Sequence, residues 1–219
     1  LATVSCVHLD KKFTIGSVGR PISSIQIKIG EDNEILLKGP TITKGYYHRD
    51  TTNAKVFDEE GYFRTGDAGY MKDEELFLTE RIKDLFKTSN GKYIAPQQVE
   101  SLLLVDKFID QVAVIADQRK FVSALIVPEF RLVEDWAREH HIAFSSREDL
   151  CANEQVKKML QERINTLQQQ LAYYEQIKRI TLLPHHFSME SGELTNTLKI
   201  RRPIINKNYQ AEIDKMYEE

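Results

Sequence analysis

The sequence predicts an α+β protein in two parts, an all-β first third followed by an α/β remainder. Three observations carry that reading. Ile25, Ile27 and Ile29 alternate with polar residues, as one face of a strand does. Residues 68–72 and 76–80 alternate around Asp73, Glu74 and Glu75, which is the pattern of a hairpin. Beyond residue 81 the period lengthens, and Val156, Met159, Leu160, Ile164, Leu167 and Leu171 recur at helical spacing as a packing face.

Taken in order, Val18-Gly19-Arg20-Pro21 and Gly30-Glu31-Asp32-Asn33 are turns around the first strand, and residues 34–38 pair back as the next. Gly39-Pro40 ends that strand, and a Thr or Asp of residues 50–52 caps a short helix toward Phe57. The first third is thus a small antiparallel barrel or sheet. Ile82-Lys83-Asp84 has no strand or helix signal and marks a domain boundary, giving parts 1–82 and 83–219. Residues 85–88 read as a strand and Ser89-Asn90-Gly91 as a turn tolerating positive φ. Pro96 opens a helix in its first turn. Residues 111–116 and 121–127 form a second hairpin around 117–120. Helices follow over 131–141 and from Asn153, then a strand over 177–183 and a terminal helix over 204–217.

Composition is that of an ordinary soluble domain, with 41% hydrophobic and 29% charged residues. A net charge of -3 on a mixed-sign surface gives no reason to expect nucleic acid or a membrane as partner. Cys6 and Cys151 make no disulfide framework, and no Cys/His cluster has zinc spacing, so no metal site is expected and a reducing compartment fits. His8 and His48 read as surface residues; the His140-His141 and His185-His186 pairs receive no function. The chain starts at Leu1 without an initiator Met, which leads us to expect a piece of a longer protein.

Two stretches carry candidate chemistry. Asp67 and Arg81 are equidistant from Glu74, so antiparallel pairing sets them opposite each other at one mouth of the hairpin. The pair reads either as a cross-strand ion pair or as a clamp for a diol such as a ribose. Residues 192–203 place Lys199, Arg201 and Arg202 at the end of a loop of small polar residues. Such a cluster suits phosphate or carboxylate, or else is a solvated basic turn before the last helix.

The order of four segments, GEDNEILLKGPTITKGYY, GYFRTGDAGY, ERIKDLFKTSNGKYIAPQQVE and GELTNTLKIRR, resembles successive motifs of the adenylate-forming (AMP-binding) acyl-CoA synthetases. The long helical insertion and the Leu-Thr-Asn-Thr-Leu-Lys run are most similar to the long-chain fatty acid CoA ligase branch. The resemblance implies a β-barrel-like tail of a large domain (1–82), followed by a small, mobile α+β lid (83–219). By position, Asp67 and Arg81 correspond to the residues that hold the ribose of ATP and AMP, and Lys83 to the hinge. Lys87 and Gly91 lie on the face presented for thioester formation on the CoA side. Lys199 corresponds to the catalytic lysine of adenylation. Lys83 stands where many relatives have Asp, Asn90 and Lys92 replace the commoner Gly and Glu, and Leu198 replaces a Gly.

The implied substrates are a fatty acid, ATP with Mg2+ (its ligand residues outside this chain) and CoA as co-substrate. The implied setting is cytoplasmic, without nucleic acid; the resemblance leaves room for peripheral membrane contact in the parent and sets no oligomeric state. The isolated chain is expected to be inactive. The alternatives are an acyl-AMP ligase that loads a carrier protein, and a non-catalytic interaction module with the lid fold.

Overall fold

The computed structural model describes residues 5–8 and 14–218, with Glu80 described through its backbone alone. The chain divides into two compact units, Leu1–Leu85 and Phe86–Glu219. Both mix or alternate strands and helices as an α+β fold does.

In the first unit, β1 (Cys6–Val7) pairs with β2 (Arg20–Pro21). A four-stranded antiparallel sheet follows in the order β3 (Gln26–Ile29), β4 (Glu34–Lys38), β5 (Phe63–Lys72), β6 (Glu75–Arg81), with α1 (Asp50–Val56) between β4 and β5. Val18 donates to the Leu76 carbonyl and Leu76 donates back to that of Gly19, so the chain around Ser17 extends the sheet along β6. The alternating isoleucines enter the core as expected, with Ile25, Ile35, Leu37 and Leu76 buried and Ile27 and Ile29 packed against them. The capping expectation fails at α1: Arg49 is the N-cap and makes no side-chain cap bond, and Asp50 lies inside the first turn. Asn53 instead ties the preceding loop, accepting from Tyr46 N–H at 2.7 Å and donating to its carbonyl at 3.0 Å.

The hairpin turn is tighter than the sequence suggested. Lys72 pairs with Glu75, so only Asp73 and Glu74 form the turn, both at positive φ (51° and 65°), the geometry that matches strand twist. From Lys72 to Gly69 the ladder runs without interruption, and continued regularly it would bring Glu80 opposite Asp67. A bulge intervenes: two residues of β6 answer one of β5 between Gly69↔Leu78 and Asp67↔Arg81. The expected pair therefore forms, but the extra residue sits in the bulge, not in the turn.

The second unit is built on a three-stranded sheet ordered β11-β10-β9. It begins with the two-stranded β7 (Phe86–Lys87) and β8 (Tyr93–Ile94), then α2 (Pro96–Leu103). β9 (Ile109–Ile115) and β10 (Val122–Pro128) form the expected antiparallel hairpin. The crossover holds α3 (Phe130–Glu139), α4 (Arg147–Ala152) and α5 (Glu154–Leu167), and β11 (Ile177–Leu182) returns parallel to β10. α6 (Arg202–Asn208) and α7 (Gln210–Lys215) close the unit. β10 is buried at all seven positions because sheet neighbours and helices cover it on every side. The predicted stripe of α5 is its packing face, with Val156, Leu160 and Ile164 fully buried.

Two helical expectations need correction. α4 escaped the periodicity reading because it is short, although Ser146 caps it by accepting from Asp149 N–H at 3.2 Å. The terminal helix is broken at Tyr209 (φ -112°, ψ 27°), between α6 and α7.

Because α5 is held by its stripe, Leu160→Ala is expected to destabilise the chain by about 2–5 kcal/mol. Lys158→Ala, on the exposed face, is expected to stay within about 0.5 kcal/mol. Urea denaturation midpoints measure both.

Candidate functional site

The mouth of the β5–β6 hairpin is organised from below by Glu34, which the sequence offered no signal to single out. Its side chain is buried, accepts from Arg64 at 3.1 Å and accepts from the Gly66 N–H at 3.1 Å. Thr65 donates its hydroxyl to the Ile35 carbonyl at 2.7 Å and accepts from Asp67 N–H at 3.1 Å. Gly66 takes φ 72°, a backbone state that disfavours any side chain, and this bend presents Asp67. Asp67 lies 3.3 Å from Arg81, and Arg81 is 74% exposed. An ion pair so open to water contributes little to stability. A carboxylate beside a guanidinium, both reachable from solvent, is chemically suited to a vicinal diol: the carboxylate accepts from the hydroxyls and the guanidinium donates to their oxygens.

Lys83 occupies an exposed 3-10 turn, Ile82–Asp84, in which Leu85 N–H donates to the Ile82 carbonyl at 3.2 Å. Lys87 and Gly91 share the β7–β8 hairpin. Its centre is the buried Thr88, whose hydroxyl accepts from Lys92 N–H at 3.1 Å and whose carbonyl accepts from Gly91 N–H at 2.9 Å. Of the predicted turn residues only Gly91 takes positive φ (74°). The hairpin is docked on the 117–120 turn: Gln118 donates to the Lys87 carbonyl at 2.9 Å, and Ser89 to the Arg119 carbonyl at 3.0 Å. The Lys87 side chain points outward, its Nζ 5.5 Å from the Tyr93 ring centre.

Lys199 sits on a separate, tightly closed turn. Thr195 N–H donates to the Lys199 carbonyl at 2.8 Å, Lys199 N–H to the Thr195 hydroxyl at 3.0 Å, and Leu198 N–H to the Thr195 carbonyl at 2.9 Å. Leu198 takes φ 58°, the state in which the related Gly is unstrained. Lys199 itself is exposed. Glu193, buried at the start of the turn, accepts from Ser191 Oγ at 2.6 Å and Asn208 Nδ2 at 3.0 Å. Burial pushes its carboxyl up, but hydrogen bonds from Ser191, Asn208, the Ser188 backbone and Tyr209 outweigh that and hold it below its ordinary range. Burial, then the Glu193 charge and hydrogen bond, push the Tyr209 hydroxyl up to about 12.

The predicted three-cation cluster is reduced by one. Arg202 turns inward and forms a two-pronged pair with Glu100, at 2.7 and 2.9 Å, leaving Lys199 and Arg201 exposed. Among the described residues no group of three His, Cys, Asp or Glu could hold a metal ion. A large groove of the second unit, lined by Cys151, Lys178 and Met216 among others, contains none of the candidate residues.

This fold is that of the C-terminal domain of AMP-binding enzymes. The chain belongs to the AMP-binding enzyme C-terminal domain family, whose model matches residues 83–219. Among its relatives, human long-chain-fatty-acid–CoA ligase 1 is 31% identical over 97% of this chain and 32% of its own length. Long-chain-fatty-acid–CoA ligase FadD15 of Mycobacterium tuberculosis is 30% identical over 93% of this chain and 34% of its own. The chain thus spans about a third of the length of the curated relatives it matches. Of solved structures, the adenylation domain of a carboxylate reductase from Mycobacterium chelonae superposes with a TM-score of 0.68 at 23% identity, covering 92% of this chain and 32% of that one, and shows the shared fold. O-succinylbenzoate coenzyme A synthetase from Bacillus subtilis, solved with AMP, gives 0.55 at 26% identity, covering 87% and 35%. Of the four segments that carry the resemblance, the last two lie in or at the edge of the residues that the family model matches.

The Glu193–Tyr209 contact makes the turn's support pH-dependent. The Tyr209 pKa is raised from 10.0, so its contribution is fully present below pH 10 and is lost as pH rises through about 12. The contribution of Glu193, whose pKa is depressed, is present above 4.5 and lost as pH falls through the folded value. Urea midpoints of wild type and Tyr209→Phe should converge as pH rises above 10, since the difference cancels titrations common to both.

Proposed function

We propose that this chain is the ribose clamp, hinge and lid of an ATP-dependent long-chain fatty acid CoA ligase. In that reaction a fatty acid carboxylate attacks the α-phosphate of ATP to give an acyl-adenylate and pyrophosphate. The CoA thiol then displaces AMP to give the thioester. The observation that carries the reading is Lys199, an exposed cation on a turn closed by its own backbone and by Thr195. A cation held there stabilises negative charge gathering on the α-phosphate and attacking carboxylate more than it stabilises the separated substrates. Asp67 and Arg81 hold the ribose, and Lys83 is the pivot of the lid. The Lys87–Gly91 hairpin faces the CoA side in the second step. Long-chain specificity rests on the naming of the relatives at about 30% identity. A cytoplasmic setting is part of the proposal and agrees with two free, buried cysteines. Magnesium and the acyl chain would be bound by other parts of the protein, and the 219 residues hold no Gly-rich phosphate loop.

In a full-length protein carrying this sequence, Lys199→Ala should slow adenylate formation by about 10²–10³-fold, as loss of one oxyanion donor does, or more because a full charge is removed. The second step, started from synthetic acyl-AMP and CoA, should stay near wild type. Lys83→Pro disrupts the 3-10 turn by disfavouring the helical backbone of Ile82 before it and fixes φ at the pivot, so it should spare the first step and impair the second. Equal loss of both steps in Lys199→Ala would reject an alternating lid. The thioester product distinguishes CoA from a carrier protein as acceptor.

The chain alone is expected to make no acyl-adenylate. Pyrophosphate release with ATP, magnesium and palmitate should match a no-protein control, and clear turnover would overturn this.

A further inference from the structure

Arg202 joins the Lys199 turn to the part of the second unit that carries the Lys87–Gly91 hairpin. Its two guanidinium nitrogens donate to both oxygens of Glu100 on α2, at 2.7 and 2.9 Å. The guanidinium carbon lies 5.1 Å from the ring centre of Phe86, the residue before Lys87. Glu100 Oε1 also accepts from Val114 N–H on β9 at 2.8 Å, which locks the carboxylate to the central sheet. The side chains of Arg202 and Glu100 are 20% and 9% exposed, so the pair is shielded from water that would otherwise weaken it. A two-pronged pair fixes direction as well as distance.

The two ends of this link depend on it unequally. α2 is held independently, with Val99 and Leu103 buried in the main core. The Lys199 turn is held more lightly: Leu194 and Ile200 bridge it and pack only partly buried against that core, residues 196–199 between them are exposed, Glu193 anchors its start, and Arg202 anchors its end. Only Ile200 and Arg201 separate Arg202 from Lys199, so a shift of the anchor is transmitted to the lysine. We propose that Arg202, through its pair with Glu100, is a positioning residue that aims Lys199. This deepens the proposed function, since it rests on the role assigned to Lys199.

The test variant is Arg202→Lys, which keeps the charge and most of the stem but offers a single-point contact in place of the fork. In this chain, hydrogen exchange should accelerate at least about tenfold at the Thr195, Leu198 and Arg201 amides, while residues 96–103 and β9–β11 keep wild-type rates. Unchanged exchange, or acceleration spread over the whole unit, would overturn the proposal. If Arg202→Lys does not fold, Glu100→Gln removes the same fork from the other side and must give the same loop-confined result.

In a full-length protein carrying this sequence, Arg202→Lys should lower kcat of adenylate formation by about 10–10²-fold, the scale of a small misplacement, with KM for ATP little changed. Added to Lys199→Ala it should cost nothing further, because a residue acting only through Lys199 has nothing left to position. A further loss of the same factor in the Lys199→Ala background would reject positioning. Should Lys199→Ala itself leave adenylation at wild-type rate, the proposed role of Lys199 fails, and the exchange measurement still decides whether Arg202 orders the turn.

Discussion

A carboxylate taken out of water must be given partners, and three buried glutamates meet that demand with backbone amides and side chains of segments that carry or support the candidate residues. Glu34 accepts from the Gly66 amide and Arg64 beneath the Arg-Thr-Gly-Asp bend. Glu100 accepts from the Val114 amide and Arg202. Glu193 accepts from the Ser188 amide, Ser191 and Asn208 below the lysine turn. Of these only Glu100–Arg202 is an ion pair shielded on both sides; removing a partner from such a pair costs about 3–5 kcal/mol, whereas an exposed pair contributes less than about 1 kcal/mol. The interior interactions therefore set loop geometry, and the outward side chains stay free of structural duty.

That division explains the contrast between the two arginine–carboxylate pairs. Arg202–Glu100 is shielded and two-pronged, and it is structural. Arg81–Asp67 meets at 3.3 Å with most of the arginine in solvent, so a ligand that displaces it gives up little. The β7–β8 hairpin reaches the same end without an ion pair: a buried Thr88 hydroxyl, two backbone bonds to the neighbouring 117–120 turn and the Lys87 amide's bond to the Asp117 carboxylate hold the backbone that carries Lys87 and Gly91.

The hairpin shows how local and tertiary information combine. Period-two alternation was enough to locate the strands, and symmetry about Glu74 was enough to name Asp67 and Arg81 as opposite residues. The reason differs from the symmetric one. A two-residue turn with both residues at positive φ shortens the loop, and a bulge in β6 restores the register. Turn length and bulge position compensate, and nothing in the alternation of side chains distinguishes the two placements.

Much of the fold and the outward candidate residues were legible in the sequence. Ile25, Ile27 and Ile29, the Val156–Leu160–Ile164 stripe and Pro96 follow from the repeat geometry of strands and helices, which acts over a few residues. The order of the four motifs identified the family and, through it, Asp67, Arg81, Lys83, Lys87, Gly91 and Lys199 as candidates. Tertiary structure alone decided which charged residues turn inward. Arg202 and Arg201 are neighbours in one basic run, yet one is committed to a partner 102 positions away and the other faces water. Glu34 finds Arg64 across 30 positions, and Tyr209 breaks the last helix where it meets Glu193. The periodic features are determined by neighbours along the chain, whereas the partner of a buried charge is determined by which distant segments the packed core brings within hydrogen-bonding distance.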